Sequence, residues 1–308
     1  MIFDERTFKM DRPNIRFDEY VINGGKKVYR SHPDISNFAH IGVDVSKHNG
    51  DVDFRGLKAA GVEFVIIRAG YGRSVSQKDV RFEENYKKAK EAGMDVGVYW
   101  YSYAESITDA EKEAEVCLEV IKGKTFEYPI YYDVEEAKQF KIGKIFITNI
   151  INAFNDKIEA AGYFAGLYMS TYYMNKYVDA ATQKKYALWI AQYGSKCTYK
   201  GVYGMWQFSD VGRFTGVNDH PKQNTMDVDA SFVDYPSLIK GRGLNGYKKE
   251  EPKPDISSNE TDKPVTDEPK YNYNIVVSTF DDKDKANKEL LKVKLYYPEA
   301  KILKTYKK

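Results

Sequence analysis

Cysteine and histidine are scarce in this sequence, and their scarcity excludes several kinds of site. Only two cysteines, Cys117 and Cys197, occur in 308 residues, so neither a disulfide framework nor a cysteine-rich metal knuckle is expected. The four histidines lack a metal-ligand spacing such as His-x-x-x-His. We therefore expect two free thiols, no obligatory metal and no cofactor.

The sequence also lacks an excess of charge of either sign. Its 47 basic and 45 acidic residues leave a net charge of +2, which gives no global field of the kind that suggests nucleic-acid binding. No segment approaches the roughly 20 consecutive apolar residues that span a bilayer, and the charged first residues do not resemble a secretory signal. We expect no nucleic-acid partner, no membrane insertion and synthesis in the cytoplasm.

Aromatic residues, by contrast, are abundant. The chain has 26 Tyr, 16 Phe and 3 Trp, which together make up 15% of it. Tyrosine and tryptophan have flat apolar faces with a polar edge that suit sugar rings, but they fill cores and interfaces equally well. The count alone favours core filling, so a binding role has to be argued from position.

Short β-rich runs alternate with helical patterns between residues 40 and 247. Five β-then-α units precede three further strand-like runs, at 187–192, 204–208 and 225–229, which are separated mostly by loops. The alternation predicts an α/β fold with parallel strands, and an open doubly wound sheet also fits it. The missing late helices favour a parallel barrel whose last third has lost them. In such a barrel the chemistry lies at the carboxyl ends of the strands.

Two carboxylates end the fourth predicted strand. Asp133 and Glu135 are spaced two apart, so in an extended strand they share one face about 7 Å apart. Hydrolysis of a glycosidic bond uses such a pair: one carboxyl held protonated to donate to the leaving oxygen, and one held ionised to stabilise or capture the oxocarbenium charge. From these two residues alone, a solvated acidic strand end is the slightly better explanation.

Further acids and aromatics occupy matching places on other strands. Asp44 ends the first strand, and Asp227 and Asp229 lie on the last strand, again spaced two apart. Carboxylates that converge on one rim raise each other's pKa values, which is costly and therefore typical of a functional site. Aromatic residues late in the intervening strands predict a rim suited to a polysaccharide: Tyr99, Tyr101, Tyr103, Tyr168, Trp189 and Trp206.

Five segments of this region carry a resemblance to a known family. They are Gly42-Val-Asp-Val-Ser46, Phe64-Val-Ile-Ile-Arg-Ala-Gly-Tyr-Gly72, Gly97-Val-Tyr-Trp-Tyr-Ser-Tyr103, Pro129-Ile-Tyr-Tyr-Asp-Val-Glu135 and Met205-Trp-Gln-Phe208. In this order they resemble glycoside hydrolase family 25, the lysozymes of the fungal and bacteriophage type. The resemblance implies an incomplete TIM-like barrel with five β/α units followed by three β-strands. It also implies cleavage of the β-1,4 bond between N-acetylmuramic acid and N-acetylglucosamine in bacterial peptidoglycan.

The resemblance assigns roles to the acids. Glu135 matches the family's general acid, Asp133 the carboxylate that positions or stabilises, and Asp44 the acid of the first strand. On the last strand Asp227 is the equivalent by an ungapped match, and Asp229, its neighbour, is the alternative. The predicted sugar contacts are Tyr99, Tyr101, Arg68, Tyr168, Trp189, Gln192, Trp206 and Asp229.

The chain departs from the family's pattern at two places. Phe54 stands where the family often has Trp, and His48-Asn49 occupies a loop that often holds Gln. Both departures concern sugar contacts rather than the reacting groups. Two routes stay open for the reaction itself, since Asp133 either attacks the anomeric carbon or orients the substrate's own acetamido group as nucleophile.

The regions on either side of the barrel differ from it in composition. Residues 1–39 form an N-terminal arm of unassigned role, in which Asn23-Gly24-Gly25 suits a hairpin turn. Residues 248–270 hold four of the ten prolines and predict a solvated linker. Residues 271–308 predict a small β-α-β segment that resembles half of a peptidoglycan-binding domain of the sporulation-related repeat type, and a pairing element is the alternative.

Two other functions remain in competition at this stage. One is a hexosaminidase that acts on chitin-like chains, against which stands the absence of the chitinase pattern Asp-x-x-Asp-x-Asp-x-Glu around Glu135. The other is a catalytically silent protein, wall-binding or part of a phage, that keeps the barrel as a glycan clamp. A lysozyme made without a signal sequence is expected to reach the wall after lysis, as phage or prophage endolysins do, or by non-classical export.

Overall fold

The computed structural model describes residues 17–23, 26–29, 38, 40–214 and 225–249, and its core is a barrel of eight strands. The strands are β1 Phe17–Asn23, β2 Lys26–Tyr29, β3 His40–Val45, β4 Phe64–Tyr71, β5 Asp95–Tyr101, β6 Ile130–Asp133, β7 Ala165–Ser170, β8 Ala187–Ala191, β9 Met205–Phe214 and β10 Met226–Ser231. The helices are α1 Phe54–Ala59, α2 Phe82–Glu91, α3 Ile107–Ile121, α4 Ala137–Phe140, α5 Lys144–Ala160, α6 Thr171–Tyr177, α7 Ala180–Lys185 and α8 Tyr235–Arg242.

Strands β3 to β10 close on themselves. From β3 to β9 each strand pairs in parallel with the next, and β10 pairs with both β9 and β3. Helices α1, α2, α3, α4 with α5, and α6 with α7 follow strands β3 to β7 in turn. Residues 192–204, between β8 and β9, contain no helix. The α/β barrel expected from the alternating pattern is therefore confirmed, and the open doubly wound sheet is not.

The last strand corrects the expectation of an all-parallel barrel. Strand β10 runs antiparallel to both of its neighbours. Only residues 215–225 separate the end of β9 from the start of β10. A parallel connection needs a crossover of a dozen or more residues, usually a helix, whereas an antiparallel pair needs only a loop. The short connection between β9 and β10 therefore agrees with the reversed direction of the last strand.

The amphipathic pattern of α3 shows how a helix is held against this barrel. The Ser106 side chain accepts a hydrogen bond from the Asp109 backbone N–H and so caps the first turn. Ala110, Ala114 and Cys117 lie on one face at helical spacing, and all three are buried. This face packs against the outside of the barrel and against α5.

The interior of the barrel is filled by a separate aromatic cluster. Phe64 stacks on Tyr128 with ring centroids 4.2 Å apart, and Tyr235 of α8 packs on Tyr128 at 5.5 Å. Tyr128 lies just before β6, so α8 closes the barrel at the amino ends of its parallel strands. The carboxyl ends, at the opposite rim, remain open for a site.

Gly42, on β3, is expected to tolerate no side chain. A Cβ at this position would lie 2.3 Å from Cε2 of the fully buried Phe64 ring, which has no room to move. We expect Gly42→Ala to lower the free energy of unfolding by about 1–3 kcal/mol, as overpacking of a core does. Gly241→Ala is the matched control, since this exposed helical glycine has open space around its Cβ position. Denaturant unfolding should show the control unchanged or slightly more stable.

The flanking regions enter the described structure only in part. The predicted hairpin is present, with β1 and β2 pairing from Tyr20↔Tyr29 to Asn23↔Lys26. Strand β1 also pairs with the far end of β9, at 212–214, so this part of the arm extends the sheet. The predicted linker and β-α-β segment lie beyond residue 249 and outside the described residues. Among the helices that the structure describes, none is long and apolar enough to cross a membrane.

Candidate active site

A cavity of about 480 Å³ opens at the carboxyl rim of the barrel. Strands β3 to β8 direct residues into it from their carboxyl ends, β9 contributes from its middle, and β10 contributes from its start. The lining residues are Asp44, Ser46, His48, Asn49, Arg68, Tyr99, Tyr101, Asp133, Glu135, Tyr168, Trp189, Tyr193, Gln207, Asp210, Thr225 and Asp227.

The reversed strand explains how Asp227 reaches this rim. Asp227 lies near the start of β10, and the antiparallel register places it opposite Asp44 at the end of β3. A parallel last strand would have to present acids at its end instead. The structure thus brings together the four predicted acids, Asp44, Asp133, Glu135 and Asp227, by a different strand direction from the one expected.

Asp229 lies beneath the cavity rather than in its lining. It is fully buried, and its Oδ1 accepts a hydrogen bond of 2.8 Å from Nε1 of Trp189, which does line the cavity. Asp229 therefore orients an aromatic side chain of the floor. Of the two acids on the last strand, Asp227 is therefore the one that lines the cavity.

Besides Asp229, two more of the predicted sugar contacts, Gln192 and Trp206, are not in the cavity. Gln192 Oε1 accepts hydrogen bonds from Thr171 Oγ1 at 2.9 Å and from the Thr198 backbone N–H at 2.9 Å, so it ties two loops together. Trp206 Nε1 donates to the Gln192 carbonyl, and its ring belongs to the core outside the barrel. Since neighbouring strand residues face opposite sides, Trp206 points outward where Gln207 points inward.

Gln207 is the polar residue that sequence reasoning missed. Its Nε2 donates to Asp44 Oδ2 at 2.7 Å, and its Oε1 accepts a hydrogen bond of 2.8 Å from the Tyr168 hydroxyl. The buried amide thereby holds Asp44 and Tyr168 in fixed relation. Alternation along β9 could have found it, because Trp206 and Gln207 cannot both face the interior.

Other lining residues come from segments without a recognised motif. Tyr193 lies just after β8, Asp210 lies within β9, and Thr225 directly precedes β10. His48 and Asn49, at the departure from the family's pattern, do line the cavity, whereas Phe54 is buried in the core.

Burial and mutual repulsion raise the pKa values of the acids in the cavity. For Asp44 the main cause is burial, followed by the charge of Asp229, and Gln207 opposes both. For Asp227 burial and the nearby Asp44 raise the pKa to about 9. Burial also raises the pKa of Asp229 well above its ordinary value. The cluster therefore holds protons at neutral pH that isolated carboxyl groups would have released.

Asp133 and Glu135 form a coupled pair within this cluster. Burial is the largest cause that raises the pKa of each carboxyl, and for Asp133 the charges of Glu135 and Asp44 add to it. The two residues differ in surroundings, because Asp133 is only 4% exposed while Glu135 lies exposed at the mouth. The Tyr101 hydroxyl opposes the rise at Glu135.

Arg68 is the positively charged residue among the groups that shift the pKa of Asp133. Its charge lowers that pKa against the larger effects of burial and repulsion. The guanidinium is itself held by Asp79, whose Oδ2 accepts from Nε at 2.7 Å. Arg68 thus favours the ionised form of Asp133.

The acids do not form a metal site. In the part of the chain that the structure describes, no group of three or more His, Cys, Asp or Glu side chains is arranged to hold a metal ion. Both cysteines, Cys117 and Cys197, are free.

A barrel with paired carboxylates in an aromatic cavity is the architecture of a glycoside hydrolase. The family model for glycosyl hydrolases family 25 matches residues 43–217. The match covers more than half of the chain, so the chain belongs to this family.

Comparison with individual proteins agrees with the family. The autolytic lysozyme of Clostridium acetobutylicum is 33% identical over 180 residues, which are 58% of this chain and 52% of that protein. The chain therefore spans about half the length of this curated relative. The modular autolysin LytC from Streptococcus pneumoniae, solved in complex with a synthetic peptidoglycan ligand, is 26% identical with a TM-score of 0.55. That match covers 69% of this chain and 52% of LytC.

A third similarity concerns the fold alone. A family 25 glycosyl hydrolase from Bacillus anthracis matches 71% of this chain and 100% of its own, with a TM-score of 0.58 and 19% identity.

Proposed function

We propose that this protein hydrolyses bacterial peptidoglycan at the β-1,4 bond between N-acetylmuramic acid and N-acetylglucosamine, with Glu135 as general acid. The observation that carries the proposal is the presence of Asp133 and Glu135 in one cavity with Asp44 and Asp227. Membership of family 25, the autolytic lysozyme among its relatives and the peptidoglycan ligand of LytC support the choice of substrate.

Glu135 is suited to donate a proton to the leaving oxygen. It lies at the open mouth of the cavity, where a polysaccharide chain has access, and burial raises the pKa of its carboxyl group, which favours the protonated form that a general acid needs. Asp133 is buried behind it and faces the positive charge of Arg68. The two carboxyl groups of one strand end therefore have different environments, which is how such pairs acquire separate roles.

One feature of Asp133 favours the route through the acetamido group. Its Oδ1 is buried and accepts no hydrogen bond from any described residue. An unsatisfied buried acceptor is costly, and the N–H of a substrate acetamido group placed there would satisfy it. By holding that N–H, Asp133 would orient the acetamido oxygen toward the anomeric carbon while Glu135 protonates the leaving oxygen.

The aromatic residues of the cavity give the sugar chain its surface. Tyr99 and Tyr168 both pack against Trp189, whose ring centroid lies 6.3 Å from that of Tyr99 and 4.5 Å from that of Tyr168. Tyr101 and Tyr103, at 5.1 Å, continue the surface outward from the mouth. Such faces stack on the apolar sides of sugar rings, while the Tyr101 and Tyr168 hydroxyl groups donate hydrogen bonds to Glu136 and Gln207.

Product analysis tests the proposal directly. Mass spectrometry of fragments released from defined peptidoglycan is expected to show reducing N-acetylmuramic acid at the new ends. Reducing N-acetylglucosamine would overturn the assigned bond. Soluble chitin oligomers serve as the parallel substrate, since faster cleavage of these oligomers would favour a chitin-type hexosaminidase. Binding of cell walls without any new reducing ends would favour the alternative of a catalytically silent glycan-binding protein.

A further inference from the structure

A second cluster of buried polar groups lies on the other side of β6 from the cavity. It consists of Ser102 after β5, Glu113 on α3, Tyr132 on β6 and Gln139 on α4, and all four side chains are fully buried. We call these four residues the buried clamp. A carboxyl group in such a place is costly unless its hydrogen bonds are satisfied, so its retention calls for an explanation.

Hydrogen bonds join the four side chains in one chain. Gln139 Nε2 donates to Ser102 Oγ at 2.9 Å, and Ser102 Oγ donates to the Tyr132 hydroxyl oxygen at 2.8 Å. The Tyr132 hydroxyl donates to Glu113 Oε2 at 2.6 Å. The other carboxyl oxygen, Oε1, accepts from the Tyr103 backbone N–H at 2.8 Å.

The direction of this chain follows from a count of donors and acceptors. Ser102 Oγ already accepts from Gln139 and from the Ala104 backbone N–H at 3.3 Å. Both of its acceptor positions are therefore occupied, and its single proton must point to Tyr132. Tyr132 must in turn donate to Glu113. Every donor is directed at the carboxyl group, so an ionised Glu113 fits the network and a protonated one leaves two donors facing each other.

The buried clamp joins the two segments that carry the active site. Tyr132 directly precedes Asp133, and Gln139 lies on the short helix that begins just after Glu135. On the other strand, Ser102 directly follows Tyr101, and its backbone N–H donates to the Asp133 carbonyl at 2.9 Å. The network therefore sets the end of β6 against the end of β5.

We propose that Glu113 is a positioning residue, and that its ionised carboxylate holds the Asp133–Glu135 segment and the Tyr101–Tyr103 segment in their productive relation. The inference rests on the proposed function of the cavity. Glu113 does not contact the cavity itself, so it acts through Tyr132 and the backbone of Tyr103.

The surroundings of Glu113 raise its pKa into the pH range over which activity can be measured. Burial raises its pKa to about 7, against the hydrogen bonds from the Tyr132 hydroxyl and the Tyr103 backbone, which lower it. Asp109, on the same helix, raises it further and is paired with Arg73.

The elements packed around Glu113 add few other charges. From β6 and α4 the facing groups are the neutral side chains of the buried clamp, and the Cys117 thiol, one turn further along α3, is buried near Glu113. On α5, Lys157 is bound to Glu115 on the outer face of α3. With its pKa at about 7, Glu113 takes up a proton as the pH falls below that value. The protonated carboxyl group then carries a donor of its own toward the Tyr132 hydroxyl or the Tyr103 N–H, which are donors themselves.

The test compares Glu113→Gln with Glu119→Gln, an exposed glutamate on the same helix, in the full chain. We measure kcat and KM on soluble peptidoglycan fragments between pH 5 and pH 8. An amide cannot accept from both Tyr132 and the Tyr103 N–H, so kcat is expected to fall about 10- to 100-fold through misplacement of the reacting groups. KM is expected to change less than about threefold, since binding surfaces are kept.

The pH dependence separates positioning from mere support of the fold. The deficit of Glu113→Gln relative to the unsubstituted protein should be largest above pH 7 and shrink toward pH 5, where Glu113 itself is protonated. The control should match the unsubstituted protein throughout. A deficit that is constant with pH, or that follows a loss of folded protein by circular dichroism, would overturn the proposal, as would normal kcat.

A second variant keeps the inference falsifiable if Glu113→Gln does not fold. Tyr132→Phe removes only the hydroxyl group and keeps the ring stack on Phe154, whose centroid is 3.9 Å away. Its kcat should fall in the same pH-dependent way, and a pH-independent kcat ratio would overturn the inference. Lack of activity in the unsubstituted protein would instead count against the proposed function.

Discussion

Replacement of Glu135 by Gln is expected to lower the rate of wall hydrolysis by about 10²- to 10⁴-fold, the usual contribution of a general acid. The amide has nearly the same shape but cannot donate a proton to the leaving oxygen. Glu135 is exposed, and the raised pKa shows that its carboxylate is not stabilised by folding. The melting temperature should therefore be unchanged or slightly higher, and sedimentation with cell walls should show that binding persists.

Glu136→Gln is the matched control for this experiment. Glu136 is the next residue, and its Oε1 accepts a hydrogen bond of 2.9 Å from the Tyr101 hydroxyl, which a glutamine oxygen also accepts. We expect it to retain activity within about tenfold of the unsubstituted protein, since it removes a neighbouring charge but no reacting group. Equal losses in both variants, or substantial residual hydrolysis in Glu135→Gln, would refute Glu135 as the acid.

Local pattern was sufficient to predict the alternation of strands and helices and to place the central acid pair on one face. Strand alternation and helix caps act over a few residues, so the β/α rhythm is visible in one sequence. Asp133 and Glu135 could be placed on one face for the same reason, because their relation depends only on the geometry of one strand.

Long-range contacts account for what the sequence did not show. Asp44 and Gln207 are 163 positions apart, yet one hydrogen bond joins them in the cavity. The direction of β10 depends on how the chain closes the barrel, which no local pattern encodes. Glu113 shares the buried face of α3 with Ala110 and Ala114, but its hydrogen-bond partner Tyr132 comes from another element, which no local pattern indicates.

The cluster of acids in the cavity, which suits the proposed reaction, is expected to reduce the stability of the protein at neutral pH. A carboxyl group whose pKa is raised by folding binds its proton more tightly in the native state than in the unfolded one. The native state therefore loses stability as the pH rises from the unfolded-state value of about 4 toward the raised value. Asp133 meets this condition, since burial and the charges of Glu135 and Asp44 all raise its pKa.

Asp133→Asn is accordingly expected to abolish most activity and yet to stabilise the fold. At pH 7 the free energy of unfolding should rise by about 1–2 kcal/mol, the gain typical when a strained functional group is removed. The gain should vanish below about pH 4, where the aspartate is protonated in both states. Hydrolysis should fall at least about 10²-fold, because the anion that stabilises the reacting centre is lost.

Asp79→Asn provides the opposite case among the buried acids. Asp79 is as buried as Asp133, but it accepts hydrogen bonds from Arg68 Nε and from the backbone N–H groups of Lys47 and Arg81. An asparagine there would leave the Arg68 charge without its partner, so the free energy of unfolding should fall by about 3 kcal/mol. Denaturant unfolding of both variants at pH 4 and pH 7 decides the matter. If Asp133→Asn is less stable than the unsubstituted protein at pH 7, or if its effect is the same at both pH values, the electrostatic cost assigned to the active-site acids is wrong.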